Sequence, residues 1–354
     1  MTLRRFVRTA LLVTGGLLVL AALAAGGYVY RNVTYAERDA DGVREAGFVE
    51  KQTTVNGSLM NYAEGPDNGT PLLLIHGQST DWRHWSRVLP DVAERYHVFA
   101  IDCYGHGKSA RVPEKYTAKA LAADTRQFLA QVVKEPAVVV GHSSGGLIAA
   151  VLAADAPAQV QALVLEDPPF FSSVLPRAEK TFNYVGLASS AHGFLRSGES
   201  DFTAYQIRHG AIWDLFKGAK QSMQKYALSY RKEHPREPLM IFYMPPEFNE
   251  SFRAMDSYDP RFGETFYDDR FHQGFDHAAT LSGIRVPAVL IHVKDLYDDK
   301  GILLAAMSTS DAQQARALLK DVRFYQVDSG HGFHFERPDE FNDIMLDLEK
   351  RLKK

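Results

Sequence analysis

A series of short apolar segments separated by amphipathic stretches most constrains the fold of this chain. Near-continuous apolar runs predict strands that are buried on both faces, which is the environment of a parallel sheet covered by helices. Two amphipathic stretches with helical character, 118–133 and 311–320, lie between such segments. The pattern predicts an α/β fold with a mostly parallel central sheet flanked by helices. The apolar segments are 71–76, 97–102, 137–141, 162–166, 288–293 and 322–327.

One long block interrupts this alternation. Between residues 168 and 286 the strand–helix rhythm is lost, and the block holds 21 of the 40 aromatic residues. We predict a mainly helical lid at 168–286, inserted between two parts of the core, 48–167 and 287–354. Most of its aromatic side chains are expected to form the lid's own core, and as a group they predict an apolar face toward the active site. In the first core part, Asn56-Gly57 predicts a β-hairpin turn.

Charge and cysteine content exclude some partners and sites. The formal net charge of the 354 residues is −3 and the body lacks a run of Lys or Arg, so nucleic acid is not an expected partner. The single cysteine, Cys103, can form neither an internal disulfide nor a multi-cysteine zinc site. Composition indicates no particular protein partner.

The N-terminal segment carries a second strong signal. Residues 9–30 contain no charged side chain and, as a helix, would span about 33 Å, roughly the apolar thickness of a bilayer. Residues 1–30 are predicted to be a membrane anchor, with Tyr28 and Tyr30 at the interface. The alternative is a signal segment cleaved near residues 22–24, which would give a secreted or periplasmic protein.

The charges around this segment predict its orientation. Arg4, Arg5 and Arg8 precede it, whereas the charges that follow it are of both signs. The positive-inside rule then places the N-terminus in the cytoplasm and the rest of the chain, beyond this segment, outside it. Residues 31–47 are polar and are predicted to be a linker.

The strongest chemical signal is Gly-His-Ser-Ser-Gly at 141–145. It follows the apolar segment 137–141 and precedes a helix-like stretch of small residues. G-x-S-x-G between a strand and a helix is typical of a nucleophile elbow, a sharp turn in which glycine avoids steric clashes. We predict Ser143 to be the nucleophile and the backbone N–H of Ser144 to be one oxyanion donor.

A serine hydroxyl needs a base, and the base needs a carboxylate to orient it. His331, which follows the segment 322–327, is the candidate base. Asp295 ranks first as the acid because it is nearest to the end of segment 288–293, and Asp298 and Asp167 remain as alternatives. His334 is expected to be an ordinary surface or supporting histidine, and no metal ligand set is evident.

The second oxyanion donor should come from the loop after segment 71–76. The backbone N–H of Gln78 is the natural candidate, since Gly77 lets the chain turn toward the serine. Trp82 and Trp85 follow in sequence. They have two interpretations: they wall the acyl pocket, or they pack at the start of a helix.

Together these motifs resemble the α/β-hydrolase superfamily. The similar stretches are His76-Gly77, Asp102–Ser109, Gly141–Gly145, and Gly330-His331 with Glu336, Pro338 and Phe341. The resemblance implies the α/β-hydrolase fold, the chain order Ser–Asp–His, and the absence of a metal or organic cofactor. The family often has G-x-x-D at its acid, whereas this chain has His-Val-Lys-Asp at 292–295.

Serine at the elbow favours ester chemistry. Epoxide hydrolases and haloalkane dehalogenases resemble this fold but have aspartate at that place. The first functional hypothesis is hydrolysis of a carboxylic ester of an apolar or aromatic substrate through an acyl-enzyme on Ser143. The alternatives are cleavage of a carbon–carbon bond, lactone or amide by the same residues, and a non-catalytic interaction domain.

Overall fold

A twisted sheet forms the centre of the computed structural model, which describes the backbone of residues 3–353 and the side chains of residues 11–353. Its strand order is β1-β2-β4-β3-β5-β6-β7-β8, and all pairs from β4 to β8 in this order are parallel. The first two strands add an antiparallel edge. The strands are β1 (Val49–Val55), β2 (Ser58–Glu64), β3 (Thr70–Ile75), β4 (Tyr96–Ile101), β5 (Ala137–His142), β6 (Val160–Glu166), β7 (Ala288–Val293) and β8 (Val322–Val327).

Helices cover both faces of this sheet, as the sequence predicts. The turn between β1 and β2 is formed by Asn56 and Gly57, both at positive φ, which confirms the predicted hairpin. The helices are α1 (Leu3–Glu45), α2 (Leu89–Ala93), α3 (Ala118–Phe128), α4 (Ser144–Asp155), α5 (Ser189–Ser197), α6 (Phe202–His209), α7 (Lys220–Glu233), α8 (Pro246–Arg253), α9 (Pro260–Tyr267), α10 (His277–Gly283), α11 (Thr309–Leu318), α12 (Phe333–Glu336) and α13 (Pro338–Leu352).

The central strands are buried on both faces, which explains their near-continuous apolar sequences. Every residue of β5 and of β7 is buried. Side chains alternate between two apolar clusters because successive residues of a strand point to opposite faces. Val139 belongs to the cluster under α3 and α4, and Val138 and Val140 belong to the cluster under α2 and α13. Each of these short strands therefore contributes side chains to both apolar clusters, one on each face of the sheet.

The sheet topology brings several loops to one edge. The strand order reverses on either side of β3, and in open α/β sheets the crevice at such a switch point is where ligands bind. The loops after β3, β5, β6, β7 and β8 all leave the carboxyl ends of parallel strands. The polar motifs that follow these strands in sequence therefore meet at this edge.

The block at 168–286 is mainly helical, as predicted, but only part of it has a core of its own: many of its buried aromatic side chains, including Phe262, Phe266 and Phe271, belong to the cluster under α3 and α4. Helices α6, α7 and α8 enclose an apolar cluster that is separate from the two clusters of the sheet. One boundary differs from the prediction, because α10 packs on α4 and belongs to the layer that covers the sheet. The lid core consists of Ile207, Trp213, Met223, Ala227, Leu239, Ile241 and Phe252.

The N-terminal helix α1 is 43 residues long. From Leu11 onward it contains a stretch long and apolar enough to cross a membrane, and that stretch is not buried against the body. The side chains of Arg4, Arg5 and Arg8, on which the predicted orientation depends, lie outside the described residues.

The predicted linker at 31–47 is not a linker in the structure. Helix α1 continues without a break to Glu45. Asn32, Tyr35 and Val43 are each buried against the body, with exposed fractions of 1, 2 and 3%. The polar composition of this segment hid a helix that docks on the body through one side.

Candidate active site

The loop after β5 holds Ser143 in a strained conformation. Ser143 has φ 54° and ψ −124°, outside the regions that L-residues normally adopt. The flanking glycines are required, because a Cβ on Gly141 would lie 2.3 Å from the carbonyl oxygen of Gly145, and one on Gly145 would lie 2.3 Å from that of Ile75. The geometry is that of a nucleophile elbow, with Ser143 at the start of α4.

A histidine and an aspartate lie beside this elbow. His331 lies on the loop after β8, and its Nδ1 forms a hydrogen bond with Oδ2 of Asp167 at 2.7 Å. Asp167 is fully buried at the end of β6, and its other oxygen lies 3.5 Å from Nδ1 of His292. The backbone N–H of Ser143 donates to the carbonyl oxygen of Glu166 at 2.9 Å, which keeps the neighbouring Asp167 level with the elbow.

The structure corrects the ranking of the acid. Asp295 does not contact His331; it accepts the backbone N–H of Thr309 at 3.0 Å and the Thr309 hydroxyl at 2.8 Å, at the start of α11. Asp298 accepts the backbone N–H groups of Lys300 and Ile302 within its own turn. The carboxylate on His331 comes one strand earlier, from β6, since β6 is the immediate neighbour of the strand that carries the serine.

The loop after β3 lies directly against the elbow. A Cβ on Gly77 would be 2.9 Å from Cβ of Ser143, so glycine allows the two backbones to approach. The side chain of Gln78 donates to Oδ1 of Asn183 at 3.1 Å and accepts from the hydroxyl of Tyr258 at 3.3 Å. These two lid residues fix the side chain of Gln78 and so hold its backbone near Ser143.

A cavity of about 370 Å³ opens beside these residues. Ser143 and His331 both line it. In the part of the chain from residue 11 onward, no hydrogen bond joins Ser143 Oγ to His331, a contact that in hydrolases often shortens only when substrate binds. Most of the other walls are apolar, as the aromatic lid predicts, and include Phe182, Leu187, Ile212, Phe252, Met255, Leu304 and Phe335.

The two tryptophans after the loop pack at the start of a helical turn. Trp85 is fully buried in the core cluster under α2 and α13, and its ring stacks on His334 with centroids 3.9 Å apart. Trp82 Nε1 donates to Glu50 at 3.0 Å. Neither side chain lines the cavity, so of the two interpretations the packing one holds.

Comparison with known families settles the fold family. Residues 72–344, more than half of the chain, match the Alpha/beta hydrolase family. The chain belongs to this family. The predicted fold and the hydrolase class are thereby confirmed, and the chain is called the hydrolase below.

Known relatives include several kinds of hydrolase-fold protein. The hydrolase is 34% identical over 137 residues to the dihydrolipoyllysine-residue acetyltransferase component of the acetoin cleaving system of Cupriavidus necator, covering 39% of this chain and 37% of that protein. It is 32% identical over 116 residues to a soluble epoxide hydrolase of a Corynebacterium species, covering 33% and 40%. These alignments thus span well under two thirds of either relative.

A solved structure resembles the hydrolase over its full length. It is a membrane phospholipase A, with a TM-score of 0.64, 24% identity, and coverage of 99% of this chain and 100% of that chain. At this level of identity the likeness establishes the fold and nothing about the substrate.

The electrostatics of the pair suit a base and its orienting carboxylate. Burial alone would raise the pKa of Asp167, but the imidazole of His292 beside it and the hydrogen bond with His331 outweigh burial and lower that pKa below its usual value. Burial would lower the pKa of His331, but the hydrogen bond and the charge of Asp167 raise it above its usual value. Asp167 therefore remains ionised while the His331 ring takes up a proton.

The raised pKa of His331 predicts the pH dependence of the hydrolase. A general base must be neutral to accept a proton, so activity is lost as the pH falls through its pKa. Because the pKa of His331 is raised above 6.5, the acidic limb of kcat/KM should have its midpoint above that value. Initial rates between about pH 5 and 9 would locate the limb. A midpoint below 6.5 would contradict the assignment of His331 as the base.

Three further histidines pack beside the His331–Asp167 pair, and the sequence did not reveal this cluster. His84, His142 and His334 are buried, with ring nitrogens within 4.8 Å of one another. His334 is fully buried, not at the surface, and its Nδ1 lies 2.8 Å from Oε1 of Glu166. Burial lowers the pKa of His334 to about 3 and keeps its ring neutral.

This histidine cluster offers donors for an ion but is also closely packed. The rings of His84 and His334 meet edge to face with centroids 4.5 Å apart, and Trp85 stacks on the second of them. Such contacts stabilise neutral imidazole rings without an ion. The sequence-based expectation of no metal stays a prediction.

Proposed function

We propose that the hydrolase cleaves carboxylic esters of apolar or aromatic substrates through an acyl-enzyme on Ser143. The observation that carries the proposal is the placement of a strained serine beside a hydrogen-bonded His331–Asp167 pair at the wall of one apolar cavity. Serine, a histidine base and a buried orienting carboxylate are the parts that acyl transfer requires.

The proposed mechanism assigns each part a step. Nε2 of His331 takes the proton of Ser143 as Oγ bonds to the ester carbonyl carbon. The backbone N–H groups of Ser144 and Gln78 stabilise the oxyanion that forms. His331 then gives its proton to the leaving alkoxide, and the alcohol departs as the acyl-enzyme forms. Water, deprotonated by the same ring, releases the acid and restores Ser143.

Asp167 supports both halves of this cycle. It holds Nδ1 of His331 as the protonated nitrogen, which leaves Nε2 free to act on Ser143. Its negative charge stabilises the imidazolium that exists while the proton is in transit. The placement of the carboxylate in a fully buried site strengthens this effect, because little water screens it.

The membrane is proposed as the second partner, through residues 1–30. Tyr28 donates to the carbonyl oxygen of Tyr243 on the lid, and Phe242 and Tyr243 are exposed large aromatic side chains beside it. Aromatic side chains of this kind favour the membrane–water interface. We propose an uncleaved anchor with the catalytic body outside the cytoplasm. N-terminal sequencing of the mature protein separates this from a cleaved, secreted or periplasmic form.

A fluorophosphonate probe tests the chemistry directly. The full chain in detergent should be labelled on Ser143, because the probe reacts only with an activated serine. A panel of aryl esters, lactones, amides and vinylogous diketones then separates ester hydrolysis from the alternative reactions. Absence of labelling in a folded protein would contradict the proposal and favour a non-catalytic interaction domain.

A further inference from the structure

A chain of buried polar contacts joins helix α1 to the loop after β3. The hydroxyl of Tyr35 donates to Oε2 of Glu250 at 2.9 Å. Glu250 accepts from Nε of Arg253 at 2.7 and 2.9 Å. Arg253 donates through both terminal nitrogens to Asp81, at 2.8 and 3.1 Å. Three elements that are distant in sequence, α1, α8 and the loop after β3, thus share one continuous network.

The far end of this network lies at the proposed oxyanion donor. Asp81 is three residues beyond Gln78, and it caps the next helical turn by accepting the backbone N–H of Arg83 at 2.9 Å. The hydroxyl of Thr80 donates to the carbonyl oxygen of Gly77 at 3.0 Å, so the short loop between Gln78 and Asp81 is constrained by an internal hydrogen bond. A shift of Asp81 is therefore transmitted to the backbone of Gln78.

A second bridge runs from α1 to the loop of the base. Nε of Arg87 donates to Asp39 on α1 at 3.0 Å, and Nη1 donates to the carbonyl oxygen of Phe335 at 2.8 Å. The guanidinium lies over the Phe335 ring, 3.7 Å from its centroid. Phe335 lines the cavity and follows His331 by four residues. Helix α1 thus contacts the supports of both the oxyanion loop and the base.

Charge balance makes the Tyr35 contact important. Two buried carboxylates, Asp81 and Glu250, both bind the guanidinium of Arg253, which is largely but not fully buried, and Arg83 lies 3.5 Å from Asp81 on its other side. The hydroxyl of Tyr35 supplies the extra donor that Glu250 needs, since a buried carboxylate is costly unless its oxygens are hydrogen-bonded. Loss of that donor would draw Arg253 toward Glu250 and away from Asp81.

We infer that the docked half of α1 is a positioning element of the active site, and that Tyr35 holds the loop of Gln78 in place through Glu250, Arg253 and Asp81. The kinetic part of this inference rests on the proposed function, whereas its structural part does not. Tyr35 touches no substrate, so its effect should fall on kcat through the oxyanion geometry, with little change in KM.

Replacing Tyr35 by phenylalanine in the full chain, in detergent, tests the inference. The matched control is Tyr30→Phe, the same change on the same helix at a side chain that is 63% exposed. We expect Tyr35→Phe to lower kcat on a small aryl ester about tenfold, with KM within about twofold. We also expect faster amide hydrogen exchange in both 246–257 and 77–83. Tyr30→Phe should change neither quantity.

Two results would overturn the inference. One is a kcat for Tyr35→Phe equal to that of Tyr30→Phe. The other is faster exchange in 246–257 without any change in 77–83, which would show a structural contact that stops at the lid. If the wild type proves inactive on esters, the proposed function fails but the exchange comparison still decides the coupling. Arg253→Lys, which retains the charge and loses the two-pronged contact, should reproduce the exchange pattern if Tyr35→Phe does not fold.

Discussion

Replacing Ser143 by alanine should lower kcat for ester hydrolysis by about 10⁴-fold or more while the protein stays folded. The side chain loses only its oxygen, so the strained φ of 54° is no less favourable with alanine than with serine. Without Oγ no acyl-enzyme can form, and what activity remains comes from binding and the oxyanion donors alone. The measurement is kcat on an aryl ester, with the melting temperature and the circular dichroism spectrum as checks of folding.

A serine outside the cavity gives the matched control. Ser282 lies on α10 and does not line the cavity, so Ser282→Ala should retain the wild-type kcat. Loss of fluorophosphonate labelling should accompany the Ser143→Ala change only. A decrease of a few-fold in Ser143→Ala would remove Ser143 from its proposed role.

Replacing Asp167 by asparagine should lower kcat by about 10³- to 10⁴-fold. The amide has nearly the same shape as the carboxylate, but it can present an N–H to Nδ1 of His331 and so favour the tautomer that cannot accept the serine proton. It also removes the charge that raises the pKa of His331. The acidic limb of any residual activity should therefore move to lower pH.

Asp295→Asn separates this role from a general effect of losing a carboxylate. Asp295 bonds Thr309 and not His331, so its replacement should change kcat by less than about threefold and act mainly through the helix start it stabilises. The two variants should be compared on the same substrate, each with its melting temperature. A larger loss in Asp295→Asn than in Asp167→Asn would restore the ranking that the sequence suggests.

The sheet, the elbow and the position of His331 beside it could be predicted because each has a local signal. Val138, Val139 and Val140 are apolar in series because the strand is buried on both faces, and the glycines around Ser143 are required by contacts within a few residues. His331 follows a predicted strand and precedes a predicted helix. Such features depend on the neighbours of each residue in the chain.

The carboxylate that contacts His331 could not be assigned from such local signals. Asp167, Asp295 and Asp298 all follow strands, and the choice depends on which strand end is adjacent to the serine and on the side-chain direction. In the structure the hydrogen bond from Ser143 N–H to the carbonyl oxygen of Glu166 places Asp167 beside the serine, and the spacing of residues in the sequence does not reveal this contact. The same limit hid the histidine cluster, whose members come from the helical turn after β3, the end of β5 and α12.

The packing of residues 31–45 on the body is visible in the spacing of a few residues in the sequence, although the polar composition of the segment obscures it. Asn32, Tyr35, Asp39 and Val43 are spaced by three, four and four residues, which is one face of a helix. Three of the four are buried, and the fourth holds Arg87. A polar segment with one contacting stripe belongs to the structured body even when its overall composition suggests a tether.

With residues 1–30 anchored in the membrane as proposed, the unbroken course of α1 would limit how far the cavity can move away from the lipid. From Tyr30 to Glu45 the helix rises about 22 Å, whereas a flexible segment of the same length could extend to roughly 50 Å. An extended tether would let the body sample many heights and rotations above the bilayer. A continuous helix would instead keep the body close to the bilayer, so the molecules that reach the cavity would be those present near the membrane surface.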